Sequence, residues 1–158
     1  MKNIFIIAIL LFKNYSLLRI LQIIETKKLN LKGKSLEFGA SLDSKKNFSY
    51  FTKGVSNFDY SNIDTVKSKK IIQVDLRKKF KIKSNTYNNI LIYNVLEHVD
   101  DHTITFDEIT RILNKNGNLF GSTPFLYQVH GAPKDYFRFT KDFFLEILKN
   151  NGFYKIKV

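Results

Sequence analysis

The sequence contains no cysteine among its 158 residues. This absence excludes disulfide bonds, thiolate metal sites and thiol nucleophiles. Together with the lack of a recognisable export signal, it favours a cytoplasmic location. A hydrophobic content of 44%, with 15% aromatic residues, is typical of a folded protein. At this length we expect one domain with a hydrophobic core of its own.

Arginine is scarce, because 22 of the 26 basic residues are Lys and only four are Arg. Proteins that read nucleic acid usually depend on Arg side chains gathered in a basic stripe, whereas the lysines here are spread along the chain. We therefore interpret the net charge of +12 as a solvated surface. A partner with an acidic or membrane surface is the alternative, and no specific nucleic-acid partner is expected.

A long apolar run is also missing. Residues 4–12 form the longest one, and crossing a bilayer takes about 20 mostly apolar residues. A signal-peptide cleavage site does not follow it. Beyond it, Leu17, Leu18, Leu21 and Ile24 recur at helical spacing. We therefore predict that residues 1–31 hold an apolar or amphipathic helix that packs on or precedes the domain, with peripheral membrane contact or cleavage as alternatives.

Short apolar runs alternate with helical patterns over the rest of the chain. The predicted strands are residues 35–38, 58–63, 71–74, 89–95, 119–122 and 153–158, and the predicted helices are residues 103–113, stopped by Asn116-Gly117, and 141–150. This alternation predicts an α/β domain over residues 32–158. Its expected fold is a Rossmann-like, doubly wound, mostly parallel sheet with helices on both faces.

Acidic residues and a glycine lie where these strands end. Glu37 and Gly39 close the first strand, and a glycine there lets the backbone approach a ligand closely. Asp64 follows Gly39 by 25 residues, near the offset at which a second-strand acid binds ribose hydroxyls. Asp75 ends the third strand and could accept from an adenine amino group. Turn glycines and capping acids are the alternative interpretation, but the order along the chain favours a nucleoside-type ligand.

Five segments in this order resemble the motifs of a known enzyme class. They are Leu36-Glu37-Phe38-Gly39, Val74-Asp75-Leu76, Asn94-Val95-Leu96-Glu97-His98-Val99, residues 108–117, and Ser122-Thr123-Pro124-Phe125. Together they are similar to class I S-adenosylmethionine-dependent methyltransferases, and more narrowly to the type 11 methyltransferase domain. Residues 130–140 resemble a subgroup associated with surface-polysaccharide biosynthesis. The likeness covers residues 33–158.

The resemblance implies S-adenosyl-L-methionine as the cofactor and assigns residues to the two sides of a cleft. On the cofactor side are Glu37, Phe38, Gly39, Ala40, Asp64, Asp75, Leu76, Asn94 and Val95. On the acceptor side are Glu97, Asp135, Tyr136 and Arg138. His130, followed by His98, is the candidate base, because histidine titrates near neutral pH. A loop hydrogen bond for His130, a strand cap for His98, and an Asp135 ion pair for Arg138 are the structural alternatives.

The chain departs from the family pattern at three places. Gly39 is a single glycine followed by Ala40-Ser41-Leu42, Asn88 replaces an aspartate before the fourth strand, and the last antiparallel strand is absent from the predicted elements. The leading prediction is an enzyme that methylates a small-molecule or glycan acceptor, in polysaccharide biosynthesis. An inactive cofactor-binding paralogue or truncated module is the alternative. A basic RNA-associated methyltransferase is the second alternative.

His98 and His102 have the i, i+4 spacing of a zinc-binding pair and are flanked by Asp100 and Asp101. A third ligand at a useful spacing is not evident in the sequence. We therefore expect no metal and interpret this stretch as a solvated helix start.

Overall fold

The computed structural model describes residues 7, 11, 15–54, 56–64, 71–131 and 134–158. Five strands form one sheet in the order β3-β2-β1-β4-β5, and every pairing between neighbours is parallel. The strands are β1 (Gly33–Phe38), β2 (Ser56–Asn62), β3 (Ile71–Gln73), β4 (Tyr87–Tyr93) and β5 (Leu113–Ser122). The strand order reverses between β1 and β4, which is where open α/β sheets form their ligand crevice.

The helices whose bounds the described residues give are α1 (Leu17–Thr26), α2 (Thr103–Ile112) and α3 (Lys141–Asn150), and all three pack on the sheet. The Rossmann-like α/β prediction is confirmed, and α3 has the predicted bounds. The apolar run at residues 4–12 lies outside the described residues apart from residues 7 and 11. In the described part of the chain, we find no helix with the length and apolar character that a membrane crossing requires.

Side chains of β4 alternate between two cores, because successive residues of a strand point to opposite faces. Ile90 and Ile92 join the cluster that contains α2 and is packed by α3, whereas Leu91 joins the cluster that contains α1. Ile20 and Ile23 anchor α1 to that second face with no exposed surface. Helices therefore cover both faces of the sheet, while the predicted domain boundary between residues 31 and 32 stays a prediction.

The Asn116-Gly117 pair does not stop a helix, so this part of the prediction is wrong. α2 ends at Ile112, and β5 begins at once with Leu113. Asn116 has a φ of 65°, and the β4–β5 register shifts between Tyr87 and Asn89 at this point. Asn116 and Gly117 therefore form an irregularity inside β5, where the left-handed conformation of Asn116 accommodates extra residues opposite β4.

Residues 153–158 do not form the predicted sixth strand. The chain instead closes α3 with a Schellman motif, in which Phe153 N–H donates to the Leu148 carbonyl and Gly152 N–H donates to the Lys149 carbonyl. Gly152 occupies the left-handed position of this motif with a φ of 77°. Residues 153–158 therefore leave the end of α3 without backbone pairing to β5.

Candidate functional site

The three predicted acids belong to one edge of the sheet. Glu37 lies in β1, while Asp64 and Asp75 each follow the last residue of their strand, β2 or β3, by two positions. Because β1, β2 and β3 are parallel, their carboxyl ends share this edge. The sequence-predicted cofactor residues are therefore brought to the part of an α/β sheet where ligands bind.

Glu37 holds the loop that follows β1. Its side chain is buried, and its two oxygens accept hydrogen bonds from Phe48 N, at 2.7 Å, and Ser49 N, at 2.9 Å. Burial raises the pKa of Glu37 despite these bonds. The carboxylate therefore caps the 3-10 turn Phe48–Phe51, and its contact with a cofactor stays a prediction.

Asp64 and Asp75 differ in what they contact. Asp75 is bound by its neighbour Arg77, with 2.9 Å from Nε to Oδ1 and 3.0 Å from a terminal nitrogen to Oδ2. These hydrogen bonds lower the pKa of Asp75 to about 2. Asp64 is an exposed side chain at the end of β2. Of the two acids, Asp64 is the better placed to meet a ligand from solvent.

The remaining cofactor-side residues line the junctions after β1, β3 and β4. Phe38, Ala40 and Leu76 are buried. Gly39 has a φ of 68°, and a Cβ added there would lie 2.5 Å from Cγ2 of Val95. The β1 and β4 junctions therefore touch at Gly39, a contact that a larger residue would obstruct.

Asn94 connects the end of β4 to helix α1. The side chain of Gln22 donates to Asn94 Oδ1 and to Ser122 Oγ, each at 2.7 Å, and accepts from Asn94 Nδ2 at 3.1 Å. Gln22 is only 5% exposed. This buried network fixes α1 across the carboxyl ends of β4 and β5.

A cavity of about 130 Å³ opens beside this network. It is smaller than the roughly 300 Å³ at which ligand pockets usually begin. Its walls come from α1 and from the segments after β4 and β5, and its lining residues are Ser16, Leu18, Arg19, Gln22, Asn94, Glu97, Pro124, Tyr127 and His130. Asn94, predicted for the cofactor side, and Glu97 and His130, predicted for the acceptor side, all line this cavity, and their roles stay predictions.

Glu97 is fully buried in the cavity wall, yet neither carboxylate oxygen has a hydrogen-bond partner among the described residues. Burial raises the pKa of Glu97 to about 7. His98 lies beside it, with Nε2 at 3.9 Å from Glu97 Oε1 and Nδ1 at 2.5 Å from the Lys134 carbonyl oxygen. The His98 and His130 ring centres are 5.0 Å apart, so the two candidate bases and Glu97 form one cluster.

Asp135 organises the segment that carries His130. Its Oδ2 accepts from the His130 backbone N–H at 2.9 Å and lies 3.2 Å from His130 Nδ1. Arg138 binds the same carboxylate with two nitrogens, at 2.5 and 2.7 Å, and holds the pKa of Asp135 well below its usual range. Of the two alternatives for Arg138, the structure shows the ion pair. Tyr136 is 41% exposed, and its backbone N–H donates to the Glu97 carbonyl at 2.8 Å.

His102 is not a partner of His98. Its Nε2 lies 2.9 Å from the Leu96 carbonyl oxygen, and its ring packs against Phe137, Phe139 and Phe143. The imidazole is 8% exposed, so its interpretation as part of a solvated helix start is wrong. The partners that gather around His98 are Glu97 and His130, whose proximity depends on tertiary packing.

Helix α1 supplies two functional candidates that sequence reasoning missed, Arg19 and Gln22. The Arg19 guanidinium lies 3.7 Å above the Phe48 ring centre and donates to the Lys46 carbonyl, and burial lowers its pKa. The one available signal was a pair of polar residues interrupting an apolar helix. That signal does not reveal which strand ends the helix will meet.

Replacing Gln22 with alanine should lower the free energy of unfolding by about 1–2 kcal/mol, because Asn94 and Ser122 would lose a buried partner. Gln73→Ala is the matched control, since Gln73 is exposed and donates to a single carbonyl. Urea denaturation of both variants measures the difference. Equal losses at the two positions would show that the α1 network does not stabilise the fold.

Comparisons with known proteins agree with this architecture. A family profile described as "Methyltransferase domain" matches residues 13–158. No curated protein matches significantly. Among solved structures, a Haloferax volcanii complex of the Trm112 methyltransferase activator with an inferred methyltransferase has a TM-score of 0.60 at 13% identity, covering 83% of this chain and 65% of that one.

Two further structures share the fold. Haemonchus contortus phosphoethanolamine N-methyltransferase 2, with phosphomonomethylethanolamine and S-adenosylhomocysteine, has a TM-score of 0.59 at 15% identity, covering 86% of this chain and 37% of that one. A SAM-dependent methyltransferase from Archaeoglobus fulgidus has a TM-score of 0.58 at 12% identity, covering 88% and 68%. Identities this low establish the fold alone, and the chain spans less than two thirds of the first two neighbours.

The profile match covers nearly the whole chain, and the fold neighbours include proteins bound to S-adenosylhomocysteine or named for S-adenosylmethionine. The predicted class I methyltransferase fold is thereby confirmed, and the predicted S-adenosylmethionine cofactor agrees with these neighbours. The chain belongs to the methyltransferase domain family.

Proposed function

We propose that this chain transfers a methyl group from S-adenosylmethionine to a small-molecule or sugar-containing acceptor, in surface-polysaccharide biosynthesis. The observation that carries the proposal is the arrangement at one edge of a parallel sheet. Asp64 and Gly39 lie at the ends of β2 and β1, and the cluster of Glu97, His98 and His130 gathers beyond the ends of β4 and β5. The resemblance of residues 130–140 to a polysaccharide-associated subgroup supports a sugar-containing acceptor.

The residues present fit the cofactor. When bound, S-adenosylmethionine supplies an activated methyl group, so the protein's task is to align the acceptor with it. The exposed Asp64 carboxylate would bind the ribose hydroxyls, and the buried Leu76 would border the adenine. Arg19, in the cavity wall, would pair with the carboxylate of the methionine portion.

On the acceptor side, His130 is the first candidate to accept a proton from an acceptor hydroxyl, and His98 is the second. His130 lines the cavity with 32% of its side chain exposed, so it can meet an acceptor. Asp135 and Arg138 bind each other and position the segment. Tyr136, which is partly exposed, would contact the acceptor from the same segment.

The exposed side chains of Leu11, Leu17 and Leu21 support the predicted peripheral membrane contact through the N-terminal helix. Such a contact would place a cytoplasmic enzyme beside membrane-bound glycan precursors. Vesicle flotation with Leu17→Ser as the variant tests this part of the proposal.

Titration calorimetry with S-adenosylmethionine and S-adenosylhomocysteine tests the cofactor assignment. Asp64→Ala should weaken binding about 10- to 100-fold, because it removes charge-assisted hydrogen bonds to the ribose. Asp107→Ala, which removes an exposed carboxylate from α2, is the matched control and should bind like the wild type. Failure of the wild-type protein to bind either compound would overturn the methyltransferase proposal.

The acceptor is then sought with a labelled-methyl assay on sugar nucleotides and lipid-linked glycan precursors. Transfer that depends on His130 supports the proposal. Labelling of RNA in place of sugars would instead favour the RNA-associated alternative.

A further inference from the structure

The buried carboxylate of Glu97 lacks the partner that its position requires. The side chain has no exposed surface, and neither oxygen accepts a hydrogen bond from any described residue. Buried carboxylates in folded proteins are paired with a cation or coordinate a metal, because burial without compensation is expensive. Arg138, the nearby cation, is already bound by both oxygens of Asp135.

The imidazoles of His98 and His130 lie next to the Glu97 carboxylate. Glu97, His98 and His130 each have one potential ligand atom, and these atoms all lie within 4.8 Å of one another. Two ligands that each sit about 2.1 Å from one ion are at most about 4.2 Å apart. Side-chain rotation can close the remaining gap, so the three groups can reach a common ion.

His98 is held in the manner of a metal ligand, and His130 has a carboxylate beside its ring, although its Nδ1 makes no hydrogen bond with a described residue. The Nδ1 atom of His98 is 2.5 Å from the Lys134 carbonyl oxygen, which leaves Nε2 on the side of Glu97. Asp135 binds the backbone N–H of His130 and lies beside its ring. In metal sites, a backbone carbonyl or a carboxylate typically fixes the ring of each ligating histidine in this way.

We propose that Glu97, His98 and His130 bind a divalent transition-metal ion of the zinc type. Two imidazoles and one carboxylate form a donor set that suits such ions, and three protein ligands leave a coordination position open. The ligands come from two segments that follow β4 and β5, so the ion would also connect them.

The open coordination position on the ion would serve the proposed methyl transfer. Glu97 and His130 both line the cavity, so an ion between them can hold an oxygen atom of the acceptor. With the ion bound, His130 is a ligand and not the proton acceptor. This role rests on the proposed methyl transfer, whereas binding of the ion does not.

Calorimetric titration of the full chain with Zn²⁺, after chelator treatment and without a histidine tag, tests the site. We expect one ion per chain, and Glu97→Gln, His98→Ala and His130→Ala should each weaken binding by at least about 100-fold. Asp100→Asn is the matched control, because this neighbouring carboxylate is exposed and lies outside the cluster. Circular dichroism confirms that each variant is folded.

Co²⁺ provides a second measurement that needs no variant. The wild-type protein with Co²⁺ should show the visible absorption of an ion coordinated by imidazole nitrogen, and Zn²⁺ should displace it. Absence of Zn²⁺ binding, or binding that all three variants retain, would overturn the metal site. If S-adenosylmethionine still binds in that case, the metal inference fails while the proposed function stands.

Discussion

Replacing Arg111 with alanine should lower the free energy of unfolding by about 3 kcal/mol, the low end of the range for breaking a buried ion pair. Arg111 donates to both oxygens of Glu108, at 2.7 and 2.6 Å, and to the carbonyls of Ile82 and Phe80. Glu108 also accepts from Phe80 N at 2.6 Å. The pair therefore ties the segment between β3 and β4 to helix α2, and its removal leaves a buried carboxylate without its cation.

Arg77→Ala is the matched control, because Arg77 also pairs with a carboxylate, that of Asp75, but is largely exposed to solvent. Exposed pairs contribute little to stability, so this variant should unfold close to the wild type in urea. Arg111→Lys should recover only part of the loss, since an ammonium group cannot reproduce the two parallel hydrogen bonds of a guanidinium. Equal stability of the two alanine variants would contradict the role of the Arg111 network.

The loss in free energy of unfolding caused by Arg111→Ala should depend on pH. Arg111 lowers the pKa of Glu108 below the ordinary value of 4.5. The pair therefore stabilises the folded state fully above that ordinary value, and this contribution is lost as the pH falls through the lowered folded-state pKa. Urea denaturation near neutral pH and again in acid should show the gap between variant and wild type narrowing in acid.

The sheet could be predicted from sequence where each strand has a local signature. The run Ile90–Tyr93 is apolar and contains two β-branched isoleucines, and the polar Asn94 follows it. The predicted start of β5 was too far along the chain. The first half of this strand, Leu113–Gly117, is mostly polar and forms strand only through pairing with β4. Residues 153–158 have the composition of a strand, but the Schellman turn at Gly152 directs them elsewhere. In both cases the outcome depends on pairing with another strand, and a local sequence pattern does not show that pairing.

The site was predictable in position but not in its contacts. The position of Asp64 and Asp75 at one edge follows from sequence, because parallel topology brings the strand ends together, while their roles toward a cofactor stay predictions. The isolation of Glu97 depends on its burial in a short turn and on the packing of residues 134–138 against that turn, which is a long-range feature. The spacing of His98 and His102 indicated nothing about their real neighbours, since His102 packs in an aromatic cluster and His130 lies beside His98.

Replacing Gly39 with alanine should destabilise the protein by about 2–5 kcal/mol, the sum of two effects. A left-handed backbone conformation disfavours any residue with a Cβ by about 1–2 kcal/mol, and Gly39 has a φ of 68°. The added Cβ would also lie 2.5 Å from Cγ2 of Val95, and such overpacking usually adds about 1–3 kcal/mol. Val95 has a stiff side chain, so it cannot move aside without shifting the β4 end.

Gly152→Ala separates these two effects, because Gly152 has a φ of 77° but, apart from its chain neighbours, no described residue has an atom within 4 Å of the position that its Cβ would take. Its loss of stability should therefore reflect the backbone conformation alone. The double variant Gly39→Ala/Val95→Ala should recover the part that comes from the clash, a coupling that a double-mutant cycle measures. If the losses in free energy of unfolding are additive in that cycle, the Cβ at position 39 does not clash with the Val95 side chain.

The same variants connect the fold to the cofactor. The β1 and β4 junctions that meet at Gly39 carry Ala40 and Asn94, both predicted to lie along the cofactor. Separating them should weaken S-adenosylmethionine binding at least tenfold in Gly39→Ala, whereas Gly152→Ala, at the end of α3, should bind like the wild type. Titration calorimetry on folded samples of both variants measures this difference. Unchanged affinity of Gly39→Ala for S-adenosylmethionine would place the cofactor away from the switch point between β1 and β4. A ligand bound at that point would lose contacts when the junction moves.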